Sequence, residues 1–391
     1  MLLSQLSVSR GAALKKIFLS NTVIFTLLLV VAGCFKPAVK EVRVAKWKNN
    51  ARAAYTIIHD DLCDTVCRGI YEYADTIAYN RGLPIAAGAI VEKCVCEGDY
   101  MWEHLRTMAA HGHEIVSHTW DHGASVDLGW QPESWSVDTD VVMSKAILEQ
   151  NVPGIEVTYF IFSYDAYNDQ RLKELKEKGY LGSRSGKKMY DDDRGVNTDF
   201  TDFDPFHNCY FDAYMSKAEQ DEIDALPEDE RYTTSIYNDD NDDVEIQHVD
   251  SAIATGGWSI QEMHSVADTG PWGWGHISVA KYRALLDYVK EKVDAGVLWM
   301  AGPTAVIKYI MIKNQCGEPA VTNNILSFSS ADAVDPKYAT PISVVITTTG
   351  NPAAITGQQN RTTLQARKIG KNSFILDVNP TSGDIALTLH K

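Results

Sequence analysis

The sequence is short of positive charge, of long apolar runs and of paired-cysteine spacings, and each shortage removes a class of function. It holds 36 Lys and Arg against 52 Asp and Glu, a net charge of −16, so neither a nucleic-acid binder nor a polybasic reader of membrane surfaces is expected. Its main apolar run, Val23 to Val31, is about half of the roughly 20 residues that a spanning helix needs. Cys63/Cys67 (C-x-x-x-C) and Cys94/Cys96 (C-x-C) fit zinc-finger spacings poorly. No internal repeat of the roughly 20–50 residues that build solenoids is apparent. What is present is a globular composition, 45% hydrophobic and 10% aromatic, with material for a large core. The 391 residues allow roughly two domains.

Residues 1–33 read as an export signal: Arg10, Lys15 and Lys16 precede the apolar run, which ends in small residues. Val31-Ala32-Gly33-Cys34 resembles the bacterial lipobox, which implies lipidation at Cys34 and membrane contact through the lipid alone. Phe35 is not the Asp that retains lipoproteins at an inner membrane. The expected location is therefore the outer membrane or periplasmic face in a Gram-negative host, and the cell surface otherwise. Processing there leaves a charge of −19. The remaining cysteines, Cys63, Cys67, Cys94, Cys96, Cys209 and Cys316, are even in number, which outside the cytoplasm suggests disulfides. Cys63/Cys67 and Cys94/Cys96 follow two successive strand candidates, so cross-pairing is expected there, and Cys209 with Cys316 is a further candidate pair.

Residues 34–50 read as a polar tether. Strand-like and helix-like runs then alternate: strands at Tyr55–Ile58, Leu83–Val91, Glu114–Val116, Val157–Phe162, Ser259–His264 and Val297–Met300, and helices near Val66–Asn80, Tyr100–His111, Gln170–Lys178, Val279–Ala295 and Pro303–Lys313. This rhythm predicts an incomplete or distorted βα barrel over 51–316. It fails between 190 and 250, an insertion with 20 acidic and 3 basic residues. There Asp239-Asp240-Asn241-Asp242-Asp243 lacks an EF-hand's Gly and terminal Glu, so a solvated loop is expected rather than a Ca2+ site. From 320 to 391 the pattern changes to short strands, Ile342–Thr349, Thr362–Arg367, Ser373–Val378 and Ile385–His390, which read as a small β-sandwich-like domain. With no Trp there and one Tyr, Tyr338, a structural role is expected over glycan stacking.

Chemistry-bearing residues fall at the carboxyl ends of the predicted strands, where barrels place active sites. Ile58-His59-Asp60-Asp61 puts adjacent carboxylates on different sides. In Ser117-His118-Thr119-Trp120-Asp121-His122, two imidazoles four residues apart can converge on one ion. His264 ends the late strand. Together these motifs resemble the polysaccharide deacetylases of carbohydrate esterase family four, with their NodB homology domain, from about Ala54 to Ile312. The resemblance implies a distorted (β/α)7-type barrel, Asp60 as catalytic base, Asp61, His118 and His122 as metal ligands and His264 as catalytic acid. The stretches Gly256-Gly257-Trp258 and Trp299–Ile310 are also similar to that family.

The departures from the family pattern are as telling. His59 replaces the usual aromatic and Leu62 the usual Gly of the first motif. Ile161 stands where the third motif places the Arg that orients the base, while Tyr164 is kept as a substrate-binding candidate. Arg184, in Ser183-Arg184-Ser185-Gly186 after the next strand candidate, could supply that guanidinium instead. The resemblance implies a hydrolase of linear amides, with Zn2+ preferred over Co2+ or Ni2+. The implied partner is an acetylated poly- or oligosaccharide, with no nucleic acid, and the protein is expected to be a monomer. O-acetyl ester hydrolysis on xylan or another glycan is an alternative. A catalytically weakened glycan-binding lipoprotein, motivated by the missing Arg, is another. Trp120, Trp130, Trp135 and especially Trp272 and Trp274, in a Gly-flanked loop after His264, are candidates to line a sugar groove.

Overall fold

The computed structural model describes residues 37–391 apart from 65–66, 186–187, 190–194, 208–210, 213–220, 223–224, 228–229, 231–243 and 269–275. Cys34, Cys209, Trp272, Trp274, Asp239–Asp243 and most of the acidic insertion therefore lie outside the described residues.

The first strand, β1 (Val39–Val44), falls in the segment expected to be a tether. Its polar and apolar residues alternate well enough to pair antiparallel with a C-terminal strand, Val42 opposite Ile346 and Val44 opposite Val344. Trp47 follows, buried, with its indole N–H donating to the Gly256 carbonyl at 3.0 Å. From β1 to Trp47 the segment is therefore part of the fold rather than a tether.

The barrel is built on β2 (Ala53–Leu62), nearly all of which is buried, as expected of a strand covered on both faces. In chain order there follow β3 (Ala86–Ala89), β4 (Glu114–Ser117), β5 (Tyr159–Ile161), β6 (Gly182–Arg184), the two-residue strands β7 (Lys188–Met189), β8 (Val196–Asn197) and β9 (Phe211–Asp212), then β10 (Trp258–Met263) and β11 (Leu298–Met300). The sheet runs β6-β5-β4-β3-β2-β10-β9-β7, with β11 also on β2 and β8 on β10. The seven principal strands, β2 to β6 with β10 and β11, pair in parallel. One edge of β2 takes β10 along Ala54–His59, while the other takes β11 at Ala53–Tyr55 and β3 from Ile58 onward. This split edge is the distortion of the expected (β/α)7-type barrel.

Element placement differs from expectation in three places. The strand expected over Leu83–Val91 is shorter, and Val91 begins a helix, Val91–Glu97, that carries Cys94 and Cys96. The helix Val244–Thr255 begins inside the insertion, read as patternless, and runs past its end, and its apolar residues join the barrel core. Arg184 lies within β6 rather than beyond it.

After the helix Pro303–Cys316, Gly317 takes φ 68° and reverses the chain. Strands β12 (Pro319–Thr322), β13 (Ile325–Phe328), β14 (Ile342–Thr348), β15 (Ala354–Gln359), β16 (Thr362–Gln365), β17 (Arg367–Lys368), β18 (Ser373–Val378) and β19 (Ile385–His390) form two antiparallel sheets, β1-β14-β18-β17 and β12-β13-β19-β15-β16. The sheets face each other: a Cβ on Gly357 of β15 would meet Leu376 of β18 at 2.9 Å. Val344, Ile346, Leu376 and Ile385 from these sheets share one buried cluster with Trp47, Ala54, Trp258, Val306 and Ile310 from the barrel side.

Cys63 is bonded to Cys94, closing the ends of β2 and β3 together across 31 residues. Among the described residues Cys67, Cys96 and Cys316 are free thiols, so of the cross-pairing expected between Cys63/Cys67 and Cys94/Cys96 one bond is made, and Cys209, the expected partner of Cys316, lies outside those residues. Cys96 sits two residues beyond Cys94 on a helix, which turns it to the exposed side, and Cys316 is buried at the end of its own helix.

Candidate metal and catalytic site

The site sits where β2, β4, β5, β6 and β10 end. At the end of β2 the register against β3 shifts between His59 and Leu62, and Asp61 takes φ 61°. The kink sends the two carboxylates to separate partners. Asp61 Oδ1 lies 3.3 Å from His118 Nε2 and 3.4 Å from His122 Nε2, and its Oδ2 lies 3.8 Å from His264 Nε2. Asp60 is buried and receives both terminal nitrogens of Arg184, Nη1 on Oδ1 at 2.8 Å and Nη2 on Oδ2 at 2.6 Å.

Backbone strain gathers here. Besides Asp61, residues Thr119, His122, Tyr164 and Asp165 all have φ between 51° and 64°, a region that non-glycine residues seldom occupy. The Thr119 hydroxyl accepts the His122 N–H at 3.0 Å and sits 3.2 Å from the Ser163 hydroxyl, tying the loop after β4 to the one after β5.

Asp61, His118 and His122 bring one donor atom each to within 4.8 Å of one another, and their chemistry suits a divalent ion. His118 Nδ1 faces the Ile161 carbonyl at 3.1 Å, and a carbonyl can only accept. Nδ1 must therefore carry the proton, which leaves the Nε2 lone pair turned toward Asp61 for a metal. Burial opposes ionisation of Asp61, yet the neighbouring imidazoles of His122, His264 and His118 hold its carboxyl well below the usual carboxylate range.

The guanidinium of Arg184, 1% exposed, is shared among three carboxylates. Beyond Asp60 it reaches Asp165 Oδ1 from Nε at 3.0 Å and from Nη2 at 2.7 Å, and it lies 3.7 Å from Glu262 Oε1. Burial would discharge it, but these carboxylates hold it cationic. Ile161, at the expected Arg position, offers its backbone carbonyl to His118 instead.

Three participants were given no role in the site from the sequence. Asp165 directly follows Tyr164 in the third motif, and only the position of its partner identifies it. Glu262 is buried, and its carboxylate, that of Asp60 and a ring nitrogen of His264 lie within 4.8 Å of one another. The two-residue step from Glu262 to His264 was the available signal. His59 is wholly buried; its Nδ1 donates to the His264 carbonyl at 2.6 Å and its Nε2 therefore accepts from the Tyr282 hydroxyl at 2.9 Å. Burial pushes His59 down to about 4, so the ring stays neutral.

Tyr164 is exposed, its ring 4.7 Å from that of His122 and 5.1 Å from that of Trp130. Trp120 and Trp135 pack against the core, Trp135 on Phe160 and Phe162.

Residues 81–182 match the model of the polysaccharide deacetylase family. The match takes in His118, His122 and Tyr164 and stops short of Asp60, Asp61, Arg184 and His264. Among solved structures, a family 4 carbohydrate esterase from Streptomyces lividans is 12% identical, covering 70% of this chain and 98% of its own, with a TM-score of 0.37. A peptidoglycan deacetylase from Bacillus subtilis is 14% identical, covering 68% and 93%, with a TM-score of 0.38. An esterase domain of a multidomain xylanase from the hindgut metagenome of Trinervitermes trinervoides is 11% identical, covering 64% and 87%, at 0.34. No curated protein matches the chain.

Proposed function

From a chain that resembles the polysaccharide deacetylases by motif and by family match, we propose a metal-dependent hydrolase that removes N-acetyl groups from amino-sugar poly- or oligosaccharides. The observation that carries this is the division of labour at Asp60-Asp61: one carboxylate joins two imidazoles and the other is clamped by a guanidinium, with His264 beside both.

Asp61, His118 and His122 would hold the ion, with Zn2+ favoured by the two imidazoles and one carboxylate and Co2+ or Ni2+ as competent substitutes. When bound, it supplies Lewis acidity toward water and the acetyl oxygen. Each Asp60 oxygen spends one lone pair on Arg184 and keeps another, so Asp60 can take a proton from attacking water while the guanidinium fixes the plane of its carboxylate. His264 would donate a proton to the leaving nitrogen, which could not otherwise depart as an amide anion. Arg184 would thus do from β6 what the family's third-motif Arg does from its own strand.

Acetate release should disappear on treatment with a strong chelator and return on adding zinc; release indifferent to chelation would sink the mechanism. Comparing chitin oligomers with acetylated xylan distinguishes amide from ester hydrolysis, and a purified protein that binds glycans without releasing acetate from either would favour the weakened binding lipoprotein. The partners, location and domain division go with this reading: lipidation at Cys34, an exported lipoprotein, and a barrel at 51–316 followed by a structural β domain at 320–391. Mass spectrometry of the mature amino terminus tests the lipid.

A further inference from the structure

Trp130 is 69% exposed, more than any other large hydrophobic side chain among the described residues. It stands on no loose loop. The Leu128 N–H donates to the Gln131 carbonyl at 3.0 Å, and the N–H of Gly129, at φ 83°, donates to Asp127 Oδ1 at 2.8 Å, so the indole rides the tip of a closed turn. The base of that loop is fastened to the segment that follows Tyr164. Arg171 donates from Nε to the Ser125 carbonyl at 3.0 Å and pairs with both Glu133 and Glu174, and the Ser125 hydroxyl donates to the Ala166 carbonyl. Two loops from different strands are thereby fixed to each other with their aromatic rings outward and edge to face, beginning beside His122.

A ring held rigidly in water next to a reaction centre offers an apolar face without an ordering cost on binding. We propose that Trp130, supported by Tyr164, forms an outer subsite that stacks on the apolar face of the pyranose neighbouring the sugar whose acetyl group is removed. This rests on the deacetylase reading. Trp130 lies one ring beyond Tyr164 from the metal set, so it meets the next sugar of a chain and selects oligomers over monosaccharides. Arg171 is the positioning residue that fixes the loop.

The test is Trp130→Ala and Trp130→Phe on the full chain loaded with zinc, using tetra-N-acetylchitotetraose, acetylated xylotetraose and 4-nitrophenyl acetate. Trp130→Ala should raise KM for the tetrasaccharide that is turned over by about threefold to tenfold, the usual worth of an aromatic stacking contact. The effect on kcat should be smaller, 4-nitrophenyl acetate should be affected less, and Trp130→Phe should recover most of the loss. An unchanged KM, or equal losses on the tetrasaccharide and the aryl ester, would overturn the subsite while leaving the deacetylase reading standing. If wild-type protein releases acetate from neither sugar, the deacetylase reading fails. Calorimetric binding of the same tetrasaccharides to wild type and Trp130→Ala then decides the subsite by itself, weaker binding by the variant supporting it and equal binding refuting it.

Discussion

At the scale of single residues, the site depends on side chains that touch no substrate. Arg184 holds Asp60 with two parallel bonds and Asp165 with the rest of its fork, a geometry that a lysine's point charge cannot reproduce. Arg184→Lys should therefore lower kcat tenfold or more with KM little changed, since tenfold is only about 1.4 kcal/mol; steady-state kinetics showing an unaltered kcat would end the case for base orientation. His59 fixes the carbonyl of His264. Replacing it by the family-like Phe leaves the buried Tyr282 hydroxyl without its acceptor, a cost of about 1–3 kcal/mol. It also frees the end of β10, so turnover of amides should fall more than that of esters, and parallel losses on both would show that His59 merely supports the fold. That Asp61, His118, His122 and His264 come together was legible in the sequence, because their motifs fall at strand ends and resemble a family pattern. Asp165 and Glu262 were not, because their role is defined by Arg184, which reaches them from a different strand.

At the scale of elements, the helix Pro303–Cys316 starts on a carboxylate. Glu114 Oε2 accepts the Thr304 N–H at 3.3 Å, and a Cβ on Gly302 would come within 2.1 Å of that same oxygen. Burial pushes Glu114 up to about 7 from its ordinary 4.5, with Thr304 opposing. The folded protein thus keeps a proton that the unfolded chain has released. This contribution to stability is complete below about 4.5 and is lost as the pH rises through about 7. Glu114→Gln should flatten that part of a melting-temperature profile, and an unaltered slope would show that Glu114 is not its source. The Cys63–Cys94 bond closes a 31-residue loop next to Asp61; on loop entropy alone, Cys94→Ala should cost roughly 3–4 kcal/mol in denaturant unfolding. The parallel strands were readable because buried strands are continuous apolar runs. The helix Val244–Thr255 was obscured by the acidity around it, and β1 by having only six residues, whose partner lies some 300 positions away.

At the scale of the whole molecule, barrel and C-terminal sheets share one buried cluster, so they should unfold together. Calorimetry should show a single transition, and Val344→Asp, at the heart of that cluster, should lower it for the barrel as well. Two separated endotherms would make the sheets an independent appendage. The incorporation of β1 into the C-terminal sheet also sets a leash. A loose segment from Cys34 to Asn50 could span about 55 Å, whereas only the steps from Cys34 to Val39 precede the folded body, a maximum of roughly 18 Å. With Cys34 lipidated as proposed, the protein would graze within a thin shell above the bilayer, and glycan strands would have to be drawn down to the membrane to be trimmed.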